Sequence, residues 1–223
     1  MEKKKLVMIH TVRWYDTVIT KPFAMPWQKK HPEVEIINIM DDSLLTETLA
    51  NAGPTKGVIN RMLSYFKAAE LIGADVIMST CTSMGPATQK ARKKTTTPIF
   101  NIDEPMAMEA VKKGGRMGIL ATVPTSAPAT RRLLEAQAKA IGKKISIKTV
   151  INEQAFQHRL QGDINKHDEL VHAELEKLQH EVDVIVLGQI SLAQVRYKTK
   201  VPMLQVGTSG FDHVTELLNR TQS

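Results

Sequence analysis

The sequence predicts an α/β protein built as two similar open parallel-sheet lobes, and three observations predict it. Short apolar runs rich in β-branched residues alternate with longer stretches of helical period, which is how parallel strands and their crossover helices read in sequence. The alternation occurs twice. Ala74-Asp75-Val76-Ile77-Met78-Ser79-Thr80-Cys81 has a counterpart in Val182-Asp183-Val184-Ile185-Val186-Leu187-Gly188-Gln189, offset by 108 residues, and Val7-Met8-Ile9-His10-Thr11 resembles Gly118-Ile119-Leu120-Ala121-Thr122, offset by 111. Finally, 223 residues of which 42% are hydrophobic hold one sizeable core or two small ones without disulfides or structural metal. The near-equal offsets divide the chain into lobes 1–114 and 115–223 at Gly114-Gly115, with the last helix of the first half able to pack on the other lobe.

The strands are expected at 6–10, 34–39, 76–80, 98–102, 117–121, 145–150, 184–187 and 203–206. Each is a short apolar run bounded by polar or turn residues. Between them, Val58, Ile59, Met62, Leu63 and Phe66 keep helical spacing, and Gly73 is a plausible stop. Leu133, Leu134, Gln137, Ala138 and Ile141 repeat the spacing before Gly142, and Leu170, Val171, Leu175, Leu178 and Val182 carry a third helix. The stretches 14–27 and 152–165 carry no readable motif and are expected as specificity loops.

Composition removes several function classes. A single cysteine excludes an intramolecular disulfide and any cysteine-rich zinc site. The formal net charge is +7, but the basic residues come in short clusters and aromatics are only 4%, too few for stacking platforms; no nucleic-acid partner is expected. Three lysines precede only Leu6-Val7-Met8-Ile9, too short an apolar run for a secretory or membrane segment, so a cytoplasmic protein with no membrane partner is expected. The histidines outside His10 show no ligand spacing, no glycine-rich phosphate loop follows a strand, and neither a metal nor a nucleotide site is predicted.

In open parallel sheets, ligands bind beyond the carboxyl ends of the strands. Here those ends carry His10-Thr11, Cys81-Thr82-Ser83, Thr122 and Gln189-Ile190-Ser191. If the lobes face each other about a pseudo-twofold axis, the four groups converge on one cleft with Cys81 on one wall and Gln189 on the other. A lone cysteine is more often a small buried hydrophobe than a nucleophile. Its place at a strand end, before Thr82-Ser83-Met84-Gly85, makes Cys81 the leading candidate. His10 reads equally as a buried structural histidine or as a second base.

Those residues carry a resemblance. Ser79-Thr80-Cys81-Thr82-Ser83-Met84-Gly85-Pro86, Ile102-Asp103-Glu104-Pro105, the 118–125 stretch Gly-Ile-Leu-Ala-Thr-Val-Pro-Thr and Leu187-Gly188-Gln189 resemble the aspartate/glutamate racemase family, which also includes hydantoin racemases, maleate isomerases and arylmalonate decarboxylases. The resemblance spans essentially the whole chain. It implies a cofactor-independent isomerase acting on a small carboxylate or amino acid, in a family whose members are often homodimers. It also implies two cysteines, one per half, as acid and base on opposite faces of a carbon next to a carboxylate. By position, Cys81 matches the first of these, Thr82 and Ser83 match carboxylate-holding residues, Thr122 and Thr125 match a Thr-rich turn, and His10 and Thr11 match a polar pair after the first strand. Gln189 stands where the second cysteine belongs.

An ordinary thiol, pKa about 8.5, becomes a base when backbone N–H groups at a helix N-terminus stabilise its thiolate. A glutamine amide exchanges no proton near neutrality but donates and accepts hydrogen bonds. This single-cysteine variant therefore has three options: one-base chemistry at Cys81, a substitute base such as His10 or water, or covalent attack by Cys81. Thr82, Ser83, Thr122 and Ser191 are expected to bind the carboxylate and its developing charge, with Gln189 orienting the substrate. The alternatives are a decarboxylase or other lyase using Cys81 alone, and a non-catalytic metabolite-binding protein.

Overall fold

Among residues 3–220, which this computed structural model describes, the eight expected apolar runs form eight strands in two parallel four-stranded sheets. In the first compact unit the chain runs through β1 (Lys4–His10), a π-helical segment (Asp16–Ala24), α1 (Met25–Lys30), β2 (Val34–Met40), α2 (Ser43–Ala50) and α3 (Lys56–Leu71). It continues through β3 (Val76–Ser79), a 3₁₀ turn (Thr82–Met84), α4 (Gly85–Arg92) and β4 (Ile99–Asn101). The second unit comprises α5 (Glu104–Lys113), β5 (Arg116–Ala121), α6 (Ser126–Ala140), β6 (Ser146–Ile151), α7 (Glu153–Leu160), α8 (Ile164–Leu178), β7 (Val184–Leu187), a 3₁₀ turn (Ile190–Leu192) and β8 (Met203–Gln205). The first unit runs to Ile102 and resumes at Gly207 with α9 (Thr208–Arg220); the second is Asp103–Val206. The compact units are thus divided at different points from the two sequence halves.

The duplication is visible in the topology. The strand orders are β2-β1-β3-β4 and β6-β5-β7-β8, so the strands correspond pair by pair in sequence order. The matched aspartates do the same work: Asp75 Oδ2 accepts from the backbone N–H of Lys5 at 2.7 Å, and Asp183 Oδ2 accepts from that of Arg116 at 2.8 Å. Each ties the start of its sheet's second central strand to the first. Around Asp183, the Arg116 backbone and guanidinium, with Gly115 N–H, hold the carboxyl down at about 2.

Central strands are buried on both faces, as parallel sheets covered by helices require. In the first unit Val7, Ile9 and Ile77 pack with Val58, Met62 and Phe66 of α3 and Ala87 and Ala91 of α4. In the second, Leu120, Ile185 and Leu187 pack with Val171, Leu175 and Leu178 of α8. Each of these Val, Leu, Ile, Met and Phe side chains contributes roughly 1.5–3 kcal/mol when fully buried, and the alanines less. The predicted stops hold: Gly73 and Gly142 adopt φ of +83° and +66°, a region that glycine enters without strain. Ile141, expected on the apolar stripe of α6, is 55% exposed, because it lies past the helix end.

The two expected specificity loops are helical instead. In the first, Val18, Ile19, Ala24 and Trp27 are buried, and Trp27 Nε1 donates to Thr215 Oγ1 of α9 at 3.0 Å. The second forms α7 and the start of α8, capped by Asn152 accepting from Ala155 N–H at 3.0 Å and Asp163 accepting from Lys166 N–H at 3.1 Å. Among the described residues no helix is long and apolar enough to cross a membrane.

Candidate active site

In the first unit, adjacent strands β1 and β3 bring His10, Thr11, Cys81, Thr82 and Ser83 to the carboxyl end of the sheet. Cys81 leaves β3 in an extended conformation (φ −124°, ψ 117°), and its carbonyl accepts from Met84 N–H at 3.0 Å, closing the 3₁₀ turn that leads into α4. The backbone here changes from strand to helix within four residues, so successive N–H groups follow the thiol in the chain. Cys81 is half-buried and packs against the apolar cluster of Val7, Ile9 and Met84, while Thr82 and Ser83 are buried.

His10 is fully buried at the end of β1. Its Nδ1 lies 3.0 Å from Thr80 Oγ1, its Nε2 lies 2.9 Å from Asn38 Oδ1, and Tyr15 stacks on the ring at 4.1 Å between centroids. Burial pushes the imidazole from 6.5 down to about 4, against the opposing pull of Asn38, so the ring is neutral at pH 7. Sequence reasoning missed Asn38 and Tyr15. Asn38 had a signal, as the one polar side chain inside Ile36-Ile37-Asn38-Ile39; Tyr15 had none.

The second unit repeats the geometry with different chemistry. Gln189 leaves β7 in the same extended conformation (φ −135°, ψ 128°), and its carbonyl accepts from Leu192 N–H at 2.9 Å, closing a matching 3₁₀ turn. Its side chain turns back onto its own unit. Oε1 accepts from Thr122 N–H at 3.1 Å and Val123 N–H at 3.0 Å, and Nε2 donates to Thr122 Oγ1 at 2.7 Å and to Ser191 Oγ. Thr122, Gln189 and Ser191 are thus joined, and Thr125 lies further along at the start of α6, also buried. Gly188 is required by close approach: a Cβ there would sit 2.2 Å from Thr130 Oγ1 of α6.

A cavity of about 420 Å³ opens elsewhere, between α3 and α4 of the first unit, lined by Leu63, Phe66, Lys67, Glu70, Lys94 and Thr95. It abuts Ile99 at the start of β4, the opposite end of the sheet from Cys81. Cys81 and its flanking hydroxyls are a better-founded site because they lie where parallel sheets bind ligands. Among the described residues, no group of three or more His, Cys, Asp or Glu side chains is placed to hold a metal.

The duplicated fold, with a thiol at one strand-end turn and an amide at its counterpart, defines a class of α/β protein that comparison identifies. The sequence profile of the Asp/Glu/Hydantoin racemase family matches residues 24–214, and the chain belongs to that family. It is accordingly an enzyme of racemase or isomerase type, in a family that acts on small carboxylates. Among solved structures, an aspartate racemase homologue from Pyrococcus horikoshii OT3 is 18% identical, with TM-score 0.67 and both chains fully covered. Picrophilus torridus aspartate racemase is 14% identical (TM-score 0.68, 98% of this chain and 94% of that one), and Klebsiella pneumoniae allantoin racemase is 18% identical (TM-score 0.64, 98% and 89%). At these identities the likeness is one of fold. No curated protein matches the chain in sequence.

Proposed function

We propose that the chain is a cofactor-independent isomerase in which Cys81 is the sole acid/base thiol, moving a proton on one face of a carbon next to the carboxylate of a small acid or amino acid. The observation that carries this reading is the equivalence of Cys81 and Gln189 at one duplicated turn, with every donor and acceptor of the Gln189 amide bonded within its own unit. An amide so placed supplies no second base. His10 is a poor substitute, since burial lowers its basicity and both ring nitrogens are engaged; it acts as a positioning residue for Thr80, the residue before Cys81.

In this mechanism the Cys81 thiolate takes the proton on the acidic carbon. The electron pair left behind delocalises into the adjacent carboxylate as an enediolate; a water molecule delivers a proton to the opposite face of the carbon, which inverts it, and the Cys81 thiol gives its proton to solvent. Thr82 and Ser83 hold the carboxylate. Thr11, at the end of the neighbouring strand β1, is a flanking substrate contact. Thr122 and Ser191 hold the Gln189 amide within the second unit. The same single thiol favours one second reading: after loss of CO₂ from a geminal diacid, Cys81 protonates the resulting carbanion.

The protein is proposed to act in the cytoplasm. Incubating it in D₂O with the enantiomers of aspartate and glutamate, with a hydantoin and with an arylmalonate tests both readings. Deuterium incorporation that is lost in Cys81→Ala supports the isomerase, and Cys81-dependent CO₂ release supports the lyase. If wild type and Cys81→Ala bind these acids equally and neither shows exchange nor release, the protein is a binding module and the catalytic reading is lost.

A further inference from the structure

The second unit holds a complete set of hydrogen-bonding groups around a ligand that is part of the chain. Two successive backbone N–H groups, Thr122 and Val123, converge on one oxygen of the Gln189 carboxamide, while the hydroxyl oxygens of Thr122 and Ser191 receive its two N–H bonds. A primary amide has two acceptor positions and two donors, and all four are used. Consecutive N–H groups aimed at one point form a concavity that takes a carbonyl or carboxylate oxygen. The set is dry: Gln189 is 6% exposed, Ser191 2% and Thr122 0%. It is also held from behind, because the absent side chain of Gly188 lets Thr130 of α6 press against the strand end.

We propose that the Thr122–Val123 turn with Ser191 is a binding site for a primary amide or carboxylate, occupied by Gln189 as an internal ligand that excludes external ones. The tether keeps the amide at an effective concentration that free small acids do not reach, so the site stays filled in the native protein. Gln189→Ala removes the atoms of one acetamide molecule while leaving the N–H pair and both hydroxyls in place. Acetamide reproduces the lost donors and acceptors directly. Acetate reproduces the acceptor oxygen, and the hydroxyls can rotate to donate to its second oxygen.

The test is thermal melting of wild type, Gln189→Ala, Gln189→Gly and Gln189→Glu, titrated with acetamide and with sodium acetate, using sodium chloride to correct for ionic strength. The expected result is saturable stabilisation of the Ala and Gly variants with half-saturation in the millimolar range, as suits a four-atom ligand. Wild type and Gln189→Glu, whose own side chains fill the site, should not respond. Adding Thr122→Val to Gln189→Ala, which removes one of the four partners, should weaken the response. If Gln189→Ala does not fold unaided, refolding yield with and without acetamide reads the same site, and a yield unchanged by acetamide overturns the proposal. So does a folded Gln189→Ala that shows no saturable response, or one that responds no more than wild type. The readout needs no turnover, and a Cys81→Ala, Gln189→Ala double variant should respond alike, so failure here is distinct from failure of the catalytic reading.

Discussion

The turns after β3 and β7 are one backbone used twice. Their first residues, Cys81 and Gln189, differ by 11° in φ and 11° in ψ, and each opens a single 3₁₀ turn closed by its own carbonyl. The side chains go different ways: the thiol lies half-buried against an apolar cluster, and the amide bonds four polar groups. The surroundings differ to match. The first unit fills its strand ends with His10 and Thr80, with Asn38 bonded to the His10 ring, whereas the second has Ala121 and Gly188 at the positions of His10 and Thr80 and packs Thr130 against Gly188. Duplication supplies two equal scaffolds, and a few side chains decide that one turn presents a reactive group while the other is closed upon itself.

The largest expected effect separates the two turns by chemistry. Cys81→Ala should lower proton exchange by about 10²–10⁴-fold, the usual worth of a positioned acid/base group. Its melting temperature should stay near that of wild type, because a half-buried thiol on the edge of an apolar cluster adds little to packing. Isotope exchange and melting measured on one preparation check both halves. A variant with normal exchange would erase the distinction between the turns.

Gln189→Met tests the opposite turn by stability. Methionine preserves length and bulk but leaves the Thr122 and Val123 N–H groups buried without an acceptor, at roughly 1–3 kcal/mol each. Urea unfolding should show a loss of about 2–5 kcal/mol, and Gln189→Glu, which still accepts both bonds, should lose less than half as much. Equal losses in the two variants would mean that bulk, not hydrogen bonding, holds this turn.

Much of this comparison is legible in the amino-acid sequence. The eight strands could be read because buried parallel strands are short β-branched runs, and the offsets of 108 and 111 mapped β1 and β3 onto β5 and β7. The 14–27 stretch was not legible as a helix. Its buried residues Ile19 and Ala24 are five apart, the π-helical repeat rather than the α-helical one, and Pro22 and Pro26 read as breakers. For the site, sequence identified the chemical type at each strand end but not its direction. Nothing in Leu187-Gly188-Gln189 shows that the amide bends onto Thr122, since that depends on a rotamer and on a strand distant in sequence.

His10 sharpens the comparison through pH, because its counterpart Ala121 does not titrate. Its folded pKa of about 4 lies below the ordinary 6.5, so as pH falls the unfolded chain takes up the proton first. Stability is therefore full above pH 6.5, falls between 6.5 and about 4, and is level in this respect below that. Converted at 1.36 kcal/mol per pH unit, the loss across the window is about 3 kcal/mol. His167, also lowered by burial, titrates in the same direction, so the wild-type profile alone would not isolate His10. The difference between wild type and His10→Gln cancels that contribution, and it should narrow steadily from pH 7 to pH 4. A constant difference would mean that His10 is not buried as a neutral ring.

The smallest effect concerns Gly188, which stands where the first unit has Thr80. In the first unit a side chain at this position is useful, since Thr80 meets His10. In the second, a Cβ would lie 2.2 Å from Thr130 Oγ1, 2.7 Å from its Cγ2 and 3.0 Å from its Cβ. Thr130 is fully buried on α6, so the clash can be relieved only by shifting helix or strand, and Gly188→Ala should cost about 1–3 kcal/mol as overpacking. Thr130→Ala removes the two closest atoms and leaves a contact that a small shift accommodates. A double-mutant cycle should therefore show Gly188→Ala costing less in the Thr130→Ala background, with a coupling of about 1 kcal/mol. Additive losses would instead place the requirement for glycine in the backbone of the strand end itself, and the two turns would then differ in main-chain demand as well as in the side chains they present.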